Sequence, residues 1–148
     1  MEENNKIIAE FMGYKIENKK YQSLHFHSSN ESDWVWEEGD IVTRNGSEVS
    51  DPSQEPYFSL EDLPFNSDWN LLIEVVEKIE NTKIKDYSIS TDITDDKTFI
   101  SVWHYGDGSK WSILISNYNE EYKDFNKIQR TYKAVVKFIN FYNKQKEE

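Results

Sequence analysis

The strongest pattern of apolar and polar positions lies mid-chain. Trp69, Leu72, Ile73, Val76 and Ile79 recur at i, i+3, i+4, i+7 and i+10, which predicts a helix over about 68–80 with one apolar face. Ser67 stands at the expected N-cap, Asp68 at the positive end of the helix dipole, and Pro64 just upstream. After Asn81 the period drops from 3.6 to 2, and strands are predicted at about 84–92, 97–105 and 110–116. Turn chemistry sets their register. If Asp95-Asp96 closes the first hairpin, Ile89 faces Val102 and Tyr87 faces His104. If Asp107-Gly108 is a tight turn, Val102 faces Ile113 and His104 faces Trp111. Both turns put Ile89, Ile100, Val102, Ile113 and Ile115 on one face of a three-stranded antiparallel meander.

A long C-terminal helix is expected over about 121–143, where Tyr122, Phe125, Ile128, Tyr132, Val135 and Ile139 form a stripe to cover that aliphatic face. Near the start, Ile7, Ile8, Phe11 and Met12 have helical spacing, and Gly13 stands where a short N-terminal helix would end. Residues 14–17 and 21–27 flank Asn18, Lys19 and Lys20 and read as an N-terminal hairpin. Residues 28–62 then hold ten acids and one base, Arg44, with turn residues at Asn45-Gly46 and Asp51-Pro52. This segment reads as a long acidic loop or a ragged hairpin around Asn45-Gly46, partly docked through Trp34 and Trp36. The expected fold class is α+β, with 1–148 as a single domain: the meander, packed by a central and a C-terminal helix.

Composition changes this picture in two respects. Hydrophobic residues make up 36% of the chain and charged residues 30%, so the core must draw heavily on five Trp, nine Tyr and eight Phe. The net charge of −11 is uneven. Residues 1–120 hold 10 Lys and Arg against 24 Asp and Glu, whereas residues 121–146 hold 7 against 2. An acidic surface repels phosphate backbones, so direct nucleic-acid binding is not expected. The absence of cysteine excludes disulfides and thiolate metal sites. With no apolar run of membrane-spanning length and no secretory signal pattern in MEENNKIIAEFMG, a cytoplasmic location is expected.

Three segments, IAEFMGYK, SDWNLLIEVVEKIE and TYKAVVKFINFYN, cover about a quarter of the chain. They resemble corresponding stretches of a family of small uncharacterised proteins encoded by bacteriophages and integrated mobile elements. Glu74 departs from that family's pattern, which has a proline there. The resemblance implies a phage or prophage origin and brings no activity or site residues with it.

Chemistry is sparse. His25 and His27, two apart in a strand, would point both imidazoles to one side, yet no third ligand stands at a defined spacing, so no metal is expected. His104 falls at the edge of the aliphatic face and reads as a hydrogen-bonded core histidine. Glu74, Glu77 and Glu80 form a solvated helix face, and Asp92, Asp95, Asp96 and Asp107 belong to turns. There is no phosphate-binding glycine loop, nucleophile elbow or zinc-protease motif, so neither cofactor nor catalytic residue is assigned.

Two features stand out. Phe99, Trp103 and Tyr105 lie on the face opposite the aliphatic one, which is expected to be covered as a second core layer and which, if open, would bind a partner. Lys123, Lys127, Arg130, Lys133 and Lys137 form a basic stripe on the last helix, read as a solvated face or a dock for an acidic partner. The functional expectation is a non-catalytic phage or prophage accessory protein that binds another protein through Phe99, Trp103 and Tyr105 or through the 31–62 loop with Trp34 and Trp36. One alternative is an acidic nucleic-acid mimic that occupies a basic DNA- or RNA-binding protein. Another is an enzyme with a histidine and carboxylate site.

Overall fold

In a computed structural model the described residues are 2–26, 32–43, 58–60 and 63–147. The fold is α+β, and its contacts gather into two units, Met1–Leu63 and Pro64–Glu148. Among the described residues no helix is long and apolar enough to cross a membrane.

The first unit opens with helix α1 (Glu2–Met12). Gly13, at φ 75°, ends it as the periodicity predicts: its N–H reaches Glu10 O at 3.0 Å, and the Tyr14 N–H reaches Ala9 O at 2.9 Å. This paired closure needs a left-handed residue, which glycine adopts without steric cost. The side chain of Asn5 is buried and donates to Leu60 O at 2.7 Å and Leu63 O at 3.2 Å. The expected hairpin at Asn18-Lys19-Lys20 does not form. Strand β1 runs unbroken over Lys15–Phe26 and pairs antiparallel with β2 (Ser32–Thr43), Lys15 opposite Thr43 and Phe26 opposite Ser32. None of residues 18–20 takes the positive φ of a tight hairpin turn. Asn18 instead donates across the strands to Asp40 Oδ1 at 3.2 Å.

The acidic stretch 28–62 is therefore not one long loop. It contains β2 and a short β3 (Phe58–Ser59), antiparallel to β2 at Ile41 and Val42. Cross-strand partners such as Lys20 opposite Glu38 accommodate its carboxylates within the sheet. Asn45-Gly46, the proposed turn of a ragged hairpin, lies outside the described residues.

In the second unit, α2 (Trp69–Asn81) starts one residue later than Ser67 suggested. The N-cap is Asp68, whose carboxylate accepts from the N–H of Asn70 at 2.9 Å and of Leu71 at 3.4 Å. Its buried face is Leu72, Val75, Val76 and Ile79, whereas Ile73 is exposed, because i, i+3, i+4, i+7 counted from Leu72 skips it.

Strands β4 (Tyr87–Ile93), β5 (Lys97–His104) and β6 (Lys110–Ser116) form the expected meander in the order β4-β5-β6. The first hairpin has the predicted register, Ile89 opposite Val102 and Tyr87 opposite His104. The second is shifted by two, with Val102 opposite Trp111 and Ile100 opposite Ile113. A tight Asp107-Gly108 turn needs φ > 0 at both residues, and only Gly108 has it, at 73°. The loop spans Tyr105 to Gly108 instead and is closed by the His104 N–H on Ser109 O at 2.9 Å. An even shift leaves each side chain on its face. Accordingly Ile100, Val102, Ile113 and Ile115 are all buried.

Helix α3 (Lys127–Glu147) packs on β5 and β6. It begins six residues later than the stripe suggested. Tyr122, though buried, belongs to a separate 3-10 turn, and Asn126 and Gln129 cap the helix reciprocally. The Gln129 N–H donates to Asn126 Oδ1 and the Asn126 N–H to Gln129 Oε1, each at 2.9 Å. Phe138, Val135 and Ile139 fill the layer beneath.

Candidate functional site

The face of the meander turned away from the aliphatic layer is a regular grid. Each strand contributes alternate residues, so the ladder fixes three rows: Asp92, Phe99 and Leu114; Ser90, Ser101 and Ser112; Ser88, Trp103 and Lys110. The central row is small and polar, and the Oγ atoms of Ser90 and Ser101 lie 2.8 Å apart in a hydrogen bond. The outer rows carry the apolar surface. Leu114 is 52% exposed, Trp103 40% and Tyr105, just beyond the third row, 63%. Phe99 is half-buried. The Trp103 and Tyr105 rings meet edge to face at 5.5 Å, the arrangement their quadrupoles favour.

The expectation of a covered second core layer therefore fails at Trp103, Leu114 and Tyr105. A single row of bulky residues on either side of a serine row is too little apolar surface to form a packed layer, and it leaves broad side chains standing on a polar floor. Expected docking of Trp36 fails as well: in the first unit it is 66% exposed, beside Val35 at 40%. Trp34 lies in β2 opposite Leu24, and its side chain is outside the described residues.

The predicted basic stripe divides into different roles. Lys123 precedes α3 and donates to Glu120 Oε1 at 2.8 Å. Lys127 is exposed, 3.5 Å from Asp95 Oδ1. Lys133 is half-buried. Lys137 is exposed and donates to Tyr122 Oη at 3.0 Å. Arg130 contradicts the solvated reading, because its side chain is buried at 1% exposure. Its guanidinium donates to Asn117 Oδ1 at 2.8 Å, Phe125 O at 2.6 Å and Asp95 O at 2.5 Å. At 300° around the helix from Lys127, it falls on the border of the apolar stripe, so periodicity alone leaves its burial undecided. Lys144 lies outside that stripe, yet its heptad spacing from Lys137 places the two on one flank of the helix.

His104 behaves as a core-edge histidine. It packs edge to face on Tyr87 at 4.8 Å, and its Nδ1 accepts the N–H groups of Gly106 at 3.2 Å and Asp107 at 3.0 Å. Asp107 Oδ1 also approaches Nδ1 at 3.0 Å, so the imidazole and this carboxylate both belong to the turn. Hydrogen bonds from the side chain and backbone of Ser109 hold the Asp107 carboxyl below its ordinary range. Asp96 is lowered similarly, mainly by the hydroxyl of Thr94, which donates to it at 2.8 Å. Both carboxylates lock turns, Asp96 through Thr94 and Asp107 through Ser109. Among the described residues no cluster of three His, Asp or Glu has metal-binding geometry. His25 sits in β1 with its side chain outside the described residues, as is the whole of His27.

The chain matches no protein-family model, no curated protein and no solved structure.

Proposed function

We propose that the protein is a non-catalytic accessory protein that binds another protein through the open face of the β4-β5-β6 meander. The observation that carries this reading is the joint exposure of Trp103, Tyr105 and Leu114 on one sheet face. Tryptophan and tyrosine supply much of the energy at protein interfaces because each buries a large area with few rotatable bonds. A serine row between them offers hydrogen bonding without steric obstruction. The resemblance of three segments to phage-encoded proteins supports a phage-infected or lysogenic cell as the setting. A nucleic-acid mimic would array carboxylates at its binding face, whereas the nine ladder positions here hold one acid, Asp92, and one base, Lys110.

Capture from lysate of the source cell tests the reading. The full chain should recover a stoichiometric protein, and the W103A/Y105A variant, altered only at exposed side chains, should lose it. A partner retained by that variant sinks the assignment to this face. Repeated capture of nothing sinks the function.

A further inference from the structure

We infer that the free edge of β6 and the flank of α3 form a groove that takes an extended acidic peptide as a fourth strand of the meander. Three observations combine. The first is the edge itself. In an antiparallel ladder, residues alternate between turning their N–H and C=O inward to the neighbouring strand and outward. The bond from the His104 N–H to Ser109 O sets the parity. Trp111, Ile113 and Ile115 therefore bond to β5, and Lys110, Ser112 and Leu114 present N–H and C=O outward. The other hairpin gives the same parity independently, through the Tyr105 N–H on Asp86 O at 2.8 Å and the Thr94 N–H on Lys97 O at 2.8 Å. Among the described residues, nothing else bonds the backbone of Lys110, Ser112 or Leu114. Proteins usually block such an edge with a proline, a bulge or inward charges. Strand β6, KWSILIS, has no proline, and its one-to-one register from Lys110 to Ser116 leaves no bulge.

The second observation is the space beside it. An open groove of about 550 Å³ has residues 111–114 as one wall and Lys137, Asn140, Phe141 and Lys144 as the other. Strand-and-helix grooves of this kind receive extended peptides, whose backbone joins the sheet while alternate side chains meet the helix. The floor is firm, because Trp111 stacks on Phe141 with centroids 3.8 Å apart and planes 12° from parallel.

The third is charge. The chain carries −11 overall, yet this groove is lined by two lysines and no acid. Lys137 and Lys144 are seven residues apart, about 10 Å along the helix at 1.5 Å per residue, a distance an extended chain covers in about three residues. Carboxylates at alternate positions on the helix-facing side of an added strand come within reach of both ammonium groups. The groove between α2 and β4, by contrast, mixes Glu80 and Asp86 with Lys83 and Lys85 and selects no sign.

The inference rests on the protein being a binding module but not on the Trp103 face, and the experiment keeps the two apart. The probe is a ten-residue peptide of alternating threonine and glutamate, added to the isotope-labelled full chain and followed by amide NMR. Shifts should concentrate at 110–115 and 137–144. Exchange of the Ser112 and Leu114 amides should slow about tenfold at a peptide concentration ten times its Kd, since only the unbound fraction exchanges. Ser112→Pro removes one outward N–H and leaves the ladder to β5 intact, so it should abolish binding; K137A/K144A should weaken it several-fold. An N-methylated peptide, blocked along one edge, tests the same point without altering the protein, and it should not bind. W103A/Y105A should bind the probe like the wild type, whatever that variant does to the cellular partner.

Several results would overturn the inference. One is no response at 110–115 with millimolar probe. Another is equal binding of the N-methylated peptide, which would reduce the groove to a site of ion exchange. A third is protection of the Ser112 and Leu114 amides before any peptide is added. In that case the occupant is a segment of the same chain if sedimentation shows a monomer, and a second copy if it shows a dimer.

Discussion

Arg130 is the residue whose environment departs most from its chemistry. A buried guanidinium is costly unless its donors are satisfied, and here they end on neutral oxygens of the β4-β5 turn (Asp95), of Asn117 after β6 and of the segment before α3 (Phe125). Its Nε makes no hydrogen bond among the described residues. The side chain thus fastens one end of the meander, where the β4-β5 turn meets the end of β6, to the first turn of the helix that covers it. Arg130→Ala removes these bonds, opens a cavity and leaves three partly buried acceptors without their donor, with an expected loss of about 3 kcal/mol. Arg130→Lys keeps the charge but replaces a rigid fork with a single ammonium and should lose about 1–2 kcal/mol. Urea denaturation measures both. A lysine variant as stable as the wild type would show that fork geometry contributes nothing. Residue type and helical angle group Arg130 with the lysines, whereas the three oxygens that explain its burial come from positions 5 to 35 residues away.

At the scale of elements, the start of α3 separates two signals that the sequence superposes. The apolar stripe can be followed back through Phe125 to Tyr122, whereas the Asn126–Gln129 capping box fixes the first turn at Lys127. Capping wins because the first N–H groups of a helix need acceptors, and Asn126 supplies one where the stripe supplies none. Asn126→Ala should therefore lower stability by about 1 kcal/mol and fray the first turn, read as faster exchange of the Ile128 and Gln129 amides with the rest of α3 unchanged. Loss of stability spread evenly along the helix would argue that packing, not the cap, sets the boundary. The same competition explains the meander. The aliphatic alternation and the Asp95-Asp96 turn were legible, and they gave the faces and the first register. The second register was not, because Asp-Gly is compatible with a two-residue turn and with the end of a four-residue loop. The imidazole of His104 decides between them by holding the Gly106 and Asp107 N–H groups. The face of Trp103 was legible and its exposure was not, since alternation shows which side chains share a side and nothing of what lies above them.

Over the whole molecule, the second unit was largely readable and the first was not, and the reason lies in where the apolar residues fall. In β1 the apolar Ile16 and Leu24 share a parity with Asn18, Lys20 and Gln22, while β2 places Trp34, Trp36 and Val42 on one parity and Val35 and Ile41 on the other. Neither strand shows the clean alternation of a half-buried sheet, and Ile41 and Val42 are adjacent yet both buried. The second unit concentrates its apolar residues on consistent faces, and among the described residues 15 of the 22 buried hydrophobic ones lie between Phe65 and Ile139. That distribution predicts that residues 64–148 fold without the first 63. The fragment has its own two-layer arrangement, helices over one face of a three-stranded sheet, which is the least that buries such a face on both sides of a core. At this size the stability is small, since short chains bury a smaller share of their surface. The amide spectrum of the fragment should overlay that of the full chain at 97–104, 110–116 and 127–147, and its urea transition should be single and cooperative. A fragment that is collapsed but without dispersed amide signals would show that the core of the second unit is insufficient alone.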